Sequence, residues 1–254
     1  MTAPLFTGVA VALVTLFDDD GGLDAKATAE HAATLVELGM RAVVVAGSTG
    51  EAAALEPEER AALLAEVRRA VPSGTPVLAG TGAPSRRQAA ALTRTAVDHG
   101  ADGLLVLSPP GSADLRRYYE AATAAGDVPV LAYHFPQTSP PGIPLELLPE
   151  LPVQGVKDSS ADPERLVAER AGFRGWLYTG SSQLLLQAGA LGCAGAILAL
   201  ANAEPERCAA AFGGDAAAQL ELVPSHRAAR RGFPDGLKAL VADRFGTSRV
   251  ARMG

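Results

Sequence analysis

A chain of 254 residues, 48% hydrophobic and 20% charged, is long enough for one large domain or two small ones and can bury a full core. Its net charge of -6 and pI near 5.3, with no basic tract interleaved with aromatic residues, disfavour nucleic acid and anionic membrane as partners and favour a small molecule. Cys193 and Cys208 make no disulfide framework or zinc-ligand spacing, and the apolar run over 9–17 is too short to span a bilayer and has no cationic lead, so a cytoplasmic protein is expected.

In chain order, runs rich in Val, Leu and Ala predict strands over 8–17, 42–47, 76–82, 103–108, 128–134, 153–158, 176–180 and 195–202. The runs are continuous rather than alternating, which is the pattern of strands covered on both faces, as in a parallel sheet. Helix starts fall between them. Asp24 precedes an alanine-rich segment that closes near Gly39, Pro57 is followed by Glu58 and Glu59, Ser85 with Gln88 reads as a capping box, and Asp162 with Pro163 opens a helix closing near Gly172. Eight such repeats predict a closed (β/α)8 TIM barrel, with residues 1–212 as the barrel catalytic domain and 213–254 as a short C-terminal helical extension of the same domain.

Reactive groups of such a barrel sit at the carboxyl ends of its strands, which sorts the candidates. Of the 22 basic residues only Lys26, Lys157 and Lys238 are lysines and 19 are arginines, so a lysine closing strand six asks for amine chemistry that arginine cannot supply. Desolvation inside a barrel disfavours the charged amine, lowers its pKa and frees it to attack a carbonyl; the competing reading is an ion pair of Lys157 with Asp158 or another rim carboxylate. Tyr133, closing strand five, is the matching acid/base candidate, against the plainer reading of a core tyrosine, and alternation turns its neighbour His134 toward the helices. The turn "GSTGE" over 47–51 offers Ser48, Thr49 and backbone N–H groups to a carboxylate or phosphate, and "TGSS" over 179–182 is a second turn of that kind or a plain helix cap.

Taken in order, GSTGE, the Y-x-x-P segment from Tyr133, GVKDSS, TGSS and GAILALAN resemble the dihydrodipicolinate synthase and N-acetylneuraminate lyase superfamily over roughly residues 6–212. The resemblance implies a class I, pyruvate-dependent aldolase, usually homo-oligomeric, on a (β/α)8 barrel, needing no metal or organic cofactor. It implies that Lys157 forms an imine with a 2-oxo acid and that Tyr133 shuttles protons. Ser48 and Thr49 would hold the carboxylate, with Thr49 also relaying protons, and Gly180 and Ile197 would line the pocket. Three departures stand out. Thr138 occupies the place where the synthases carry an arginine for a second carboxylate. The segment "SPPGSADLRRYY" lacks the tyrosine that in the synthases crosses a dimer interface, and Tyr118 and Tyr119 read as packing residues. The region after Ala203 is shorter than the family's usual C-terminal bundle. These departures favour a 2-oxo-3-deoxy sugar acid or 4-hydroxy-2-oxo acid aldolase, near the 2-keto-3-deoxygluconate and 4-hydroxy-2-oxoglutarate types. The alternatives are a 4-hydroxy-tetrahydrodipicolinate synthase, a dehydratase using the same imine, and a non-catalytic barrel that binds a 2-oxo acid.

Overall fold

Each apolar run becomes a parallel strand in the computed structural model, which describes residues 3–111 and 114–253. The strands are β1 (Gly8–Ala12), β2 (Val43–Val45), β3 (Val77–Gly80), β4 (Gly103–Leu107), β5 (Val130–His134), β6 (Gly155–Asp158), β7 (Trp176–Thr179) and β8 (Gly195–Leu198). They pair in sequence order, and β8 returns to β1 to close the barrel. Their two faces meet different apolar layers, which is why the sequence shows no alternation. Ala10, Ala12, Val44, Leu78, Leu105, Leu131, Tyr133, Tyr178 and Ile197 fill the inside, while Val9, Val11, Val43, Val45, Val106, Val130 and Val156 pack outward against the helices.

The strands are shorter than the apolar runs, because each run continues as buried chain that leaves the ladder. β8 stops at Leu198, and Leu200–Asn202 wind into a 3-10 turn. There the buried Asn202 side chain takes over the work of a ladder: its Oδ1 accepts from Val14 N–H at 3.0 Å and its Nδ2 donates to Ala12 O at 2.7 Å.

The outer ring comprises α1 (Ala25–Glu37), α2 (Pro57–Ala70), α3 (Arg86–Asp98), α4 (Leu115–Thr123), α5 (Pro163–Gly172), α6 (Leu185–Ala190) and α7 (Pro205–Phe212), followed by α8 (Ala216–Ala229) and α9 (Asp235–Phe245). The expected starts hold: Asp24 caps α1 through Ala27 N–H at 2.9 Å, Asp162 caps α5 through Glu164 N–H at 2.9 Å, and Ser85 accepts from Gln88 N–H at 3.3 Å. The capping box expected at Ser85 is half formed, because the Gln88 side chain accepts from Ser85 Oγ rather than from its N–H. Between β5 and β6 a 3-10 turn over Leu145–Glu150 stands in place of a regular helix. Pro136, Pro140, Pro141, Pro144 and Pro149 explain it, since each lacks an N–H and blocks helical propagation. Among the described residues no helix is long and apolar enough to cross a membrane.

Candidate active site

Parallel register sets Tyr133 on β5 beside Lys157 on β6, and His134 beside Asp158. A strand alternates its side chains, so the first pair faces the barrel interior and the second faces the helices. On the outer face Asp158 pairs with Arg165 at 3.2 Å, Arg165 also holds Glu169 at 2.9 Å, and His134 Nδ1 accepts from Ile143 N–H at 2.8 Å. The expected alternative of a Lys157–Asp158 ion pair is therefore not formed: the two residues point to opposite sides of the sheet, and Asp158 is held by Arg165.

Inside the barrel Lys157 is 4% exposed, and its Nζ lies 4.3 Å from the centroid of the Tyr133 ring. No carboxylate among the described residues forms an ion pair with it. Burial without a counter-ion lowers its pKa from 10.5 to about 7, so near neutrality a large share of the amine is free. Tyr133 experiences the opposite push. Burial raises its hydroxyl to about 12, against hydrogen bonding from the Ser159 and Ser48 side chains that pulls it down. The phenol thus keeps its proton at neutral pH while standing between two hydroxyls that can pass one on.

Ser48 and Thr49 sit at the carboxyl end of β2 in a wound turn. Gly47 O accepts from the N–H groups of Gly50 and Ala52 at 3.1 and 3.2 Å, and Ser48 O accepts from Glu51 at 3.2 Å. The hydroxyl of Thr15, beyond the end of β1, donates to Gly50 O at 2.7 Å and pins the turn to the barrel. Thr49 is buried beside Ser48.

Gly180, after β7, faces Lys157 and Ser159 closely: a Cβ there would stand 1.9 Å from Ser159 Oγ and 3.0 Å from Lys157 Cε. Its missing side chain is what leaves room for both. Ile197 is fully buried in the same inner layer as Tyr133. Thr138 lies on the exposed turn after β5, its N–H donating to Phe135 O at 3.1 Å. The structure therefore gathers Lys157, Tyr133, Ser48 and Gly180 around one point. Thr49 and Ile197 line the same end and the inner layer, and Thr138 stands at the surface.

Two features differ from the sequence expectations. In "TGSS" neither serine caps a helix, because α6 starts at Leu185 with Leu184 as its cap; Ser182 Oγ is instead hydrogen bonded to His226 Nδ1 of α8 at 2.8 Å. Ser159 was not singled out in the sequence, although it lies two residues after Lys157 on the same strand face, and that period is the signal that identifies it. Tyr118 and Tyr119 are buried packing residues, their hydroxyls donating to Ala83 O at 2.9 Å and Val106 O at 3.1 Å. In the segment that precedes them, Ser112 and Ala113 lie outside the described residues.

Open clefts of about 600 to 680 Å³ lie elsewhere, one beside α7 and α9 and two at the amino-terminal end of the strands, and none includes Lys157 or Tyr133. Among the described residues no group of three or more His, Cys, Asp or Glu side chains is placed to hold a metal ion.

The sequence profile of the Dihydrodipicolinate synthetase family matches residues 5–237. A DapA-like lyase of Halobacterium salinarum is 40% identical over 209 residues, covering 78% of this chain and 68% of its own. A 4-hydroxy-tetrahydrodipicolinate synthase of Salinibacter ruber is 36% identical over 244 residues, covering 88% of this chain and 80% of its own. Among solved structures, YagE, a prophage protein of E. coli K12 of the dihydrodipicolinic acid synthase family in complex with pyruvate, superposes with a TM-score of 0.88 at 26% identity, over 98% of this chain and 92% of that one.

Proposed function

The chain belongs to the dihydrodipicolinate synthetase family and is a carbon–carbon lyase of the class I, pyruvate-dependent aldolase type, and we propose that it cleaves a 4-hydroxy-2-oxo acid, of the 2-oxo-3-deoxy sugar acid kind, through an imine on Lys157. One observation carries this reading: a buried amine without a counter-ion, its pKa brought to about 7, in van der Waals range of the Tyr133 ring. A lysine so placed serves no evident stability purpose and is matched to nucleophilic attack at neutral pH.

In the proposed sequence the free amine attacks C2 of the 2-oxo acid to give a carbinolamine. Tyr133 donates its proton to the departing hydroxyl, water leaves, and the protonated imine remains. The resulting phenolate, whose high proton affinity follows from its burial, then takes the proton of the substrate's 4-hydroxyl, directly or through Ser48 or Ser159. As that hydroxyl becomes a carbonyl the C3–C4 bond breaks and its electron pair moves into the imine, releasing the aldehyde and leaving the enamine of pyruvate. Protonation at C3 and hydrolysis return pyruvate and Lys157. Ser48 and Thr49 hold the C1 carboxylate, and Gly180 leaves room for the imine.

The substrate half of the proposal rests on Thr138. A threonine in place of an arginine gives up a charge-assisted bond worth about 1.5 to 3 kcal/mol to a second carboxylate. In the segment after β4, Arg116 pairs with Glu150 and Arg117 with Asp114 at the surface. The second reading, 4-hydroxy-tetrahydrodipicolinate synthesis, is supported by the name of the Salinibacter ruber relative.

Incubation with pyruvate and borohydride followed by peptide mapping is expected to alkylate Lys157; no label, or label confined to Lys26 or Lys238, refutes the imine. Side-by-side kcat/KM values are expected to favour pyruvate release from 4-hydroxy-2-oxo acids over condensation of aspartate semialdehyde. The opposite order refutes the substrate and favours the synthase.

A further inference from the structure

The last residues of the chain return to the catalytic end of the barrel and grip the motif that carries Ser48 and Thr49. Glu51, the fifth residue of GSTGE, is 1% exposed and adopts a left-handed backbone with φ 53. Its Oε2 accepts from the N–H groups of both Arg252 and Met253 at 2.7 Å. Its Oε1 pairs at 2.5 Å with the fully buried amine of Lys238 on α9. That contact is Coulombic rather than an aligned hydrogen bond, since Oε1 lacks an aligned donor while Lys238 Nζ donates to Val250 O at 2.6 Å.

The Arg252 side chain anchors the segment further. Its guanidinium forms a two-pronged pair with Glu59 at 2.7 Å on each arm and donates to Gly21 O and Ala54 O at 2.7 and 2.9 Å. Lys238 and Arg252 both lie 4.4 Å from the centroid of the Phe17 ring. One tail segment thus binds the loop after β1, the loop after β2 and the start of α2.

A buried carboxylate that binds Lys238, Arg252 and Met253 is more than a helix cap requires. Glu51 N–H donates to Ser48 O, so the position of the Glu51 carboxylate sets the winding of the turn that presents Ser48 and Thr49. We infer that Val250–Met253, through Arg252 and Glu51, is a positioning element of the candidate active site that holds Ser48 and Thr49 in register with Lys157. This rests on the reading of Lys157 as the imine-forming residue and of Ser48 and Thr49 as the carboxylate cradle.

The test measures borohydride trapping at Lys157 against pyruvate concentration, together with kcat and thermal midpoint, in Arg252→Ala, Arg252→Lys and Arg249→Ala. Arg249 shares the tail but pairs with Asp243 at the surface, so its variant is expected to match the wild type. Arg252→Ala is expected to raise the half-saturating pyruvate concentration by about 10- to 100-fold, the scale of a small displacement of a positioning group, with the extent of trapping at saturation preserved. Arg252→Lys keeps the charge and loses the fork, so it is expected to fall between the two, and it carries the test if the alanine variant does not fold. A lower thermal midpoint with unchanged half-saturation and kcat would show a brace for stability only and overturn the inference. No trapping in the wild type would instead remove the imine reading, and this inference with it.

Discussion

Replacing Lys157 with Met is expected to stabilise the protein while abolishing its chemistry. The amine's pKa falls from 10.5 to about 7 on folding, and each decade in that constant is worth about 1.4 kcal/mol. The unfolded chain therefore binds a proton between pH 7 and 10.5 that the folded chain has given up, which makes wild-type stability rise with pH across that window. At pH 7 folding carries a cost on the order of 4 kcal/mol for deprotonating or desolvating this one amine, after allowing for the half-proton still bound. Methionine has similar length and no charge to desolvate, so Lys157→Met should recover most of that amount at pH 7, slightly more below it, and progressively less toward pH 10. Urea unfolding of both proteins by linear extrapolation at several pH values between about 6.5 and 9.5 measures the difference. Stability curves that run parallel across this range, or a methionine variant less stable at pH 7, would refute the claim that Lys157 is a desolvated amine held near neutrality.

Two further outcomes follow from the site geometry. Tyr133→Phe removes the hydroxyl flanked by Ser48 and Ser159 and is expected to lower kcat by about 100-fold with slower imine formation; a loss below about threefold in stopped-flow and steady-state assays would move the proton relay to the serines. Gly180→Ala sets a Cβ 1.9 Å from Ser159 Oγ and is expected to lower kcat at least about tenfold by displacing Ser159 or Lys157, with recovery when Ser159→Ala is added to make room; an unchanged kcat in the single variant would show that the strand end yields without consequence.

The element order of the barrel was legible in the sequence because it is set by local physics. Apolar runs covered on both faces mark parallel strands, Asp24, Ser85 and Asp162 satisfy helix N–H groups that have no partner within the helix, and the two-residue period of a strand separates Tyr133 from His134. The prolines from Pro136 to Pro149 likewise contain the reason that the crossover after β5 is a 3-10 turn.

What lay beyond the sequence is everything created by ring closure, which brings together residues that no local rule relates. Val14 and Asn202 meet across 188 positions because β8 returns to β1. Asp158 takes Arg165 from the following helix and leaves Lys157 alone inside. Ser48 and Ser159 converge on Tyr133 from the ends of two other strands, and Glu51 meets Arg252 across 201 positions. By itself the sequence determined which segments become strands and helices and which face of its strand each candidate residue occupies, since backbone geometry and hydrophobic period act over a few neighbours. Only the tertiary structure decided which groups share the barrel mouth and which charges are paired, because burial, distance and the pKa values they impose depend on the packing of the whole chain.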